Sequence, residues 1–154
     1  MADQWGLLVV SDRWENKRAL LRILSDLPLN VFTASKIEQA REVLAVHSLR
    51  MVFCEENFAD GSYRDLLASI RTNHPKIQLV LMLSTGEWPE YLEATKLGAA
   101  EVIRCPLQPT DVELSLMRAA RQEQASAHEL LHVPAVAPVD QPEEGSGIVE
   151  PQNI

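Results

Sequence analysis

The pattern nearest to a known catalytic motif in this sequence is His128-Glu129-Leu130-Leu131-His132. Two histidines four residues apart share a helix face, and with the glutamate between them they match the zinc-protease pattern. The setting argues against that chemistry. The pentad falls at the end of the last predicted helix, just before Pro134, and no third ligand follows it. A helix end also provides no substrate cleft, so the match reads as chance, with adventitious zinc binding as its mildest consequence. Cys54 and Cys105 are the two cysteines and give no disulfide framework. The other candidates are polar residues that each follow a short apolar run: Ser11 and Asp12, Glu55, Ser84 and Cys105.

What could position them is a repeating pattern of elements. Leu7 to Val10, Val31 to Ala34, Met51 to Cys54, Leu79 to Leu83 and Val102-Ile103 read as five strands. The third shows no polar alternation, as expected of a strand buried on both faces. Helical stripes lie between them. Leu20, Leu21, Leu24 and Leu27 share a face that Pro28 ends. Ser35-x-x-Glu38 and Thr110-x-x-Glu113 read as capping boxes opening the second and fifth helices. Leu66, Leu67 and Ile70 face inward in the third helix, which Pro75 stops; Pro89 and Gly98 mark the fourth helix's start and end.

Strand-helix alternation of this kind predicts an α/β fold, a doubly wound five-stranded parallel sheet with five helices on its two faces. Right-handed crossovers bring every strand's C-terminal end to one side, where such sheets bind ligands. Ser11, Asp12, Glu55, Ser84 and Cys105 therefore converge on one cleft. From about Ala125 the pattern fades into Pro134, Pro138, Pro142 and Pro151 with Asp140, Glu143, Glu144 and Glu150. This divides the chain into a domain over 5–123 and, over 124–154, the end of the last helix and a flexible acidic tail or linker.

The bulk properties narrow the function classes. The formal net charge of -8 argues against nucleic acid and against anionic membrane surfaces as main partners. No apolar run is long enough to span a bilayer, and Met1 to Gln4 lacks the regions of a signal peptide. A reducing cytoplasm is the expected location.

The residues after strands one, three, four and five resemble, in order and spacing, the receiver domain of bacterial two-component response regulators. The similarity covers roughly residues 5 to 123. It implies the flavodoxin-like strand order 2-1-3-4-5, an acidic pair after strand one that helps bind magnesium, a phosphoacceptor aspartate after strand three, and a hydroxyl and a lysine that contact the phosphoryl group. In "LLVVSDR", Ser11 replaces one acid of the pocket and Asp12 keeps the other. "VFCEENFADGSYRDLL" puts Glu55 at the phosphoacceptor position, and "LVLMLSTG" keeps the switch hydroxyl as Ser84. "GAAEVIRCP" puts Cys105 at the lysine position and Val102 at the switch aromatic.

These substitutions predict a degenerate site. Magnesium wants several hard oxygen ligands, and Asp12 with Glu55 offers at most a weak site. Glu55 is a methylene too long, and a misplacement of about 1 Å can cost roughly 100-fold in transfer. Cys105 cannot supply the cation that the transferring group requires. The longer Glu55 could instead imitate a phosphoryl charge with Ser84 as partner, which leaves the resting state open between on-like and off-like. Cys105 is not expected to be redox-active, because Asp12 and Glu55 disfavour its thiolate. Trp14 and Trp88 near the cleft rim are candidate partner anchors or, more simply, covers for the domain's ends. Glu56, Asn57 and Asp60-Gly61 read as loop and turn residues.

The function so predicted is a non-enzymatic pseudo-receiver without a cofactor. It would act through phosphorylation-independent protein-protein contacts in a two-component-type pathway. The resemblance implies a protein partner, or a second copy in a homodimer, on the surface of helix four, strand five and helix five, about Pro89 to Gln124. Two alternatives stand beside it: a working atypical receiver that takes a phosphoryl group with magnesium, and a magnesium-dependent phosphatase built on Asp12 and Glu55. The phosphatase ranks last, since "SDR" lacks the Asp-x-Asp such enzymes use.

Overall fold

The computed structural model describes residues 5–84 and 88–132, with side chains described to residue 122. Five strands form one parallel sheet: β1 (Trp5–Val10), β2 (Leu29–Ala34), β3 (Met51–Glu55), β4 (Gln78–Leu83) and β5 (Glu101–Arg104). Their order is β2-β1-β3-β4-β5. Five helices alternate with them: α1 (Trp14–Leu24), α2 (Ile37–Val46), α3 (Tyr63–Asn73), α4 (Trp88–Leu97) and α5 (Pro109–His132). The predicted fold class and strand order are those observed. The chain divides into two units, Met1–Met117 and Arg118–Ile154; the described part of the second is the continuation of α5. The predicted tail, with its four prolines, lies outside the described residues.

Hydropathy explains which strands are central. Leu7 to Val10 and all five residues of β3 are buried, as are Leu79 to Leu83 of β4. Such unbroken apolar runs suit strands covered on both faces. The edge strands β2 and β5 are less buried. Leu8, Val10, Val52, Cys54, Leu79 and Leu81 pack with Ile37, Ala40 and Leu44 of α2 and Leu66, Leu67 and Ile70 of α3. Each fully buried Val, Leu or Ile among them contributes about 1.5–3 kcal/mol of transfer free energy.

Several predicted boundaries differ. α1 ends at Leu24, before Pro28, because Ser25 turns the chain: its N–H and hydroxyl both donate to the Arg22 carbonyl. The Ser35–Glu38 capping box does not form. Ser35 bonds Gln39 instead, and the backbone N–H groups of Ile37 and Glu38 donate to the Asp60 carboxylate at 2.9 and 3.0 Å. Asp60 thus caps α2 across the fold. It is more than a turn residue, and those two backbone bonds hold its carboxyl below the usual range. Thr110 is the second residue of α5, whose first is Pro109, so the second predicted box has no register to form. A box unforeseen from the sequence opens α3, where Ser62 and Asp65 bond each other's backbone N–H groups reciprocally.

Two arginines of α3 fix α4. Arg64 meets Glu93 through two hydrogen bonds of 2.8 and 2.6 Å, and Arg71 donates to the Leu97 carbonyl at 2.7 Å. Gly98 follows with φ +111°, the left-handed turn that ends the helix, and a Cβ there would collide with the Arg71 guanidinium.

Candidate functional site

In-register pairing brings the predicted residues to one edge of the sheet. Val10 pairs with Ala34 and Cys54, Glu55 with Met82, and Leu83 with Arg104. Ser11 N–H continues the ladder to the Ala34 carbonyl and Cys105 N–H to the Leu83 carbonyl, both at 2.9 Å. Ser11, Glu55, Ser84 and Cys105 therefore stand at the C-terminal ends of β1, β3, β4 and β5. The Cys105–Pro106 peptide bond is cis.

At the centre is the Glu55 carboxylate, 3% exposed. Its Oε2 accepts from the Ser11 hydroxyl at 2.7 Å and from the Asn16 amide at 3.0 Å. The Arg13 guanidinium, 61% exposed, faces Oε1 with its Nε at 3.9 Å. The Ser11 oxygen also lies 3.2 Å from the Arg13 carbonyl. A hydroxyl has one proton, and the shorter, charge-assisted bond to Glu55 takes it. The same oxygen accepts from Arg13 N–H at 3.1 Å, so Ser11 pins the loop and the carboxylate together. A buried carboxylate is costly unless paired and hydrogen-bonded, and here it is both.

Other candidates stand apart from that network. Ser84 is exposed and does not bond Glu55, whose longer side chain turns towards α1 rather than β4. Asp12 is exposed and has no hydrogen bond or ion pair among the described residues. Val102 is half-buried in β5 and packs against the core. Cys105 is half-buried; burial first, then the Glu55 charge, pushes its thiol up to about 11, while Arg13 pulls the other way. Cys54 is a fully buried core residue whose thiol is raised further by desolvation. The backbone of α5 is helical through His132.

The donor set does not suit magnesium. Among the described residues no three His, Cys, Asp or Glu side chains are placed to share a metal ion. Of the two proposed ligands, Asp12 points to solvent and Glu55 is already occupied by two donors and a guanidinium. An octahedral ion would have to displace the guanidinium from Oε1, or share the pocket with it, to gain one carboxylate.

Arg13 and Asn16 were missed by the sequence reading. Asn16 had a signal: it continues the buried Leu20–Leu24 stripe of α1 one turn towards the cleft, where a polar side chain needs a partner. Arg13 had only its adjacency to the acidic pocket.

The sheet order, the helices on both faces and the polar residues at the strand ends are those of the receiver-type fold. No family model matches the chain. Among curated proteins, it is similar to response regulators and transcriptional regulatory proteins. The chain is 26% identical over 133 residues to the response regulator protein PilR of Pseudomonas aeruginosa, covering 86% of this chain and 28% of PilR. To FleR of the same species it is 33% identical over 98 residues, covering 61% of this chain and 21% of FleR. The chain thus spans less than a third of the length of these relatives. Among solved structures, the signal receiver domain of an HD domain-containing protein from Pseudomonas fluorescens superposes with a TM-score of 0.74 at 20% identity, covering 80% of this chain and 99% of that one. A CheY-like receiver domain protein from Methanospirillum hungatei gives 0.72 at 16% identity, covering 80% and 99%.

No described helix is long and apolar enough to cross a membrane. Exposed apolar side chains gather on α4 and the first turns of α5: Trp88 and Tyr91, stacked 5.3 Å apart, with Leu92, Leu114 and Met117. Trp14 is also exposed, with the Arg18 guanidinium over its ring at 4.9 Å.

Proposed function

We propose that this chain is a pseudo-receiver: a non-enzymatic cytoplasmic signalling module of a two-component-type pathway, acting by phosphorylation-independent contact with a protein partner. One observation carries this reading. Glu55, at the phosphoacceptor position, is buried and already satisfied by Ser11, Asn16 and Arg13. A carboxylate oxygen engaged in this way is a poor nucleophile. Attack by Oε2 would require breaking charge-assisted bonds before any bond to phosphorus forms, and attack by Oε1 would require moving the Arg13 guanidinium aside. Cys105, neutral at physiological pH, supplies no cation for the developing charge.

Partner binding is assigned to α4, β5 and the start of α5. The exposed aromatic pair and its aliphatic neighbours support this, since Trp and Tyr are enriched in binding hot spots. The arginine clamps on α4 hold that surface in one arrangement. The domain over 5–123 would be the working unit, with 124–154 as an appended acidic segment.

The alternative, a receiver that accepts a phosphoryl group with magnesium, has one point in its favour. Ser84 is retained and faces solvent at the end of β4, free to contact such a group. Incubation with acetyl phosphate and magnesium, followed by intact-mass measurement, separates the two. The proposal expects unmodified protein; a phosphorylated species lost on Glu55→Ala would replace it with the alternative.

A further inference from the structure

The pocket is neutralised from within. We propose that Arg13 is a tethered cation: its guanidinium stands where a divalent ion would have to approach Glu55, so the chain closes its own acidic pocket to metal. Three observations lead there. First, Oε2 of Glu55 is taken by Ser11 and Asn16, whereas Oε1 accepts no hydrogen bond from the described residues. That free oxygen is the one a metal would use, and it is the one Arg13 Nε faces at 3.9 Å.

Second, the backbone holds Arg13 in place. Its N–H donates to the Ser11 hydroxyl at 3.1 Å, and its carbonyl accepts from Lys17 N–H at 3.0 Å as the N-cap of α1. The backbone from which the guanidinium extends is therefore hydrogen-bonded at both its N–H and its carbonyl. Third, its charge is felt across the cleft at the Cys105 thiol, in opposition to Glu55. The cation thus faces Glu55 at the end of β3 and acts on Cys105 at the end of β5.

The consequence is a competition between like charges. A divalent ion at Oε1 must displace Arg13 or share a few ångströms with it, and repulsion at that range is large in a partly buried site. Exposure of the guanidinium to water keeps its own desolvation cost low, so the tethered cation holds the pocket at less cost than a captured ion.

The test is a manganese(II) titration of the isotope-labelled chain, residues 1–154, read by broadening of the Ser11, Glu55 and Ser84 amides. The wild type is expected to show no more broadening there than at an exposed carboxylate such as Glu42. Arg13→Ala should tighten apparent binding at the cleft at least about tenfold. A second pair adds a ligand: Ser11→Asp with Arg13 retained, and Ser11→Asp/Arg13→Ala. Circular dichroism establishes that each is folded, and the double variant should bind at least about tenfold more tightly than Ser11→Asp. Equal affinities within the Arg13→Ala comparison, or within the second pair, would overturn the proposal. So would cleft binding by the wild type as tight as that of Arg13→Ala. The intact-mass test of phosphorylation is independent of this result, so the two ideas can fail separately.

Discussion

Removing the Ser11 hydroxyl should cost more than any other single-atom change in the cleft. Ser11 is fully buried and Glu55 is 3% exposed, so water cannot take the place of the lost donor. The bond is short, at 2.7 Å, and its acceptor is a carboxylate. Hydrogen bonds to charged groups contribute about 1.5–3 kcal/mol, and an orphaned buried acceptor pays its desolvation in full. Ser11→Ala also removes the acceptor for Arg13 N–H, but that loop lies near water and adds little. The expected loss is about 2 kcal/mol. In urea this would move the unfolding midpoint down by roughly 1 M. The control is Glu55→Met, which keeps length and removes charge. With no carboxylate to orphan, Ser11→Ala in that background should cost less than about 0.5 kcal/mol, leaving a coupling energy above about 1 kcal/mol. Urea melts of the four proteins measure this directly. Equal costs of Ser11→Ala in both backgrounds would refute the reasoning, because they would show that the hydroxyl does not serve the carboxylate.

Three further outcomes follow from the same structure. Cys105, with its thiol at about 11, should alkylate slowly at neutral pH and speed up only as pH rises towards that value; Arg13→Ala removes the charge that lowers the thiol, so it should slow the reaction further, as followed by mass spectrometry. The Asp60 carboxyl is depressed on folding, so the stabilisation it brings is present above the unfolded value of about 3.9 and fades as pH falls through it and below. The gap in melting temperature between wild type and Asp60→Ala should accordingly be full at neutral pH and shrink in acid. Gly98→Ala should destabilise by about 1–3 kcal/mol in thermal or urea melts, because φ of +111° and the Arg71 guanidinium both oppose a Cβ.

How much of this was legible beforehand depended on whether a feature is local. The buried strands announce themselves in runs such as Leu7 to Val10 and Met51 to Cys54, and their alternation with helical stripes gives the sheet. Caps were less legible. Ser35 and Glu38 have the right spacing, yet the Glu38 N–H that Ser35 would serve is taken by Asp60, more than twenty residues away in sequence, and the Ser35 N–H that Glu38 would serve is taken by Gln39. The site shows the same limit. Ser11 and Glu55 were recognisable as cleft residues from their places after strands. Their bond, and the turn of Glu55 away from Ser84, required knowing how α1 approaches β3. Asn16 is the instructive miss, because a polar residue at the end of an apolar stripe asks where its hydrogen bonds go.

The most direct measurement of the central claim is an amide NMR titration with magnesium and then beryllofluoride, which stands in for a carboxylate-bound phosphoryl group. A cleft already satisfied by Ser11, Asn16 and Arg13 should leave the resonances of Asp12, Glu55 and Ser84 unmoved. Saturable shifts at those residues, spreading to Val102 and α4, would contradict the account and identify a responsive phosphorylation switch.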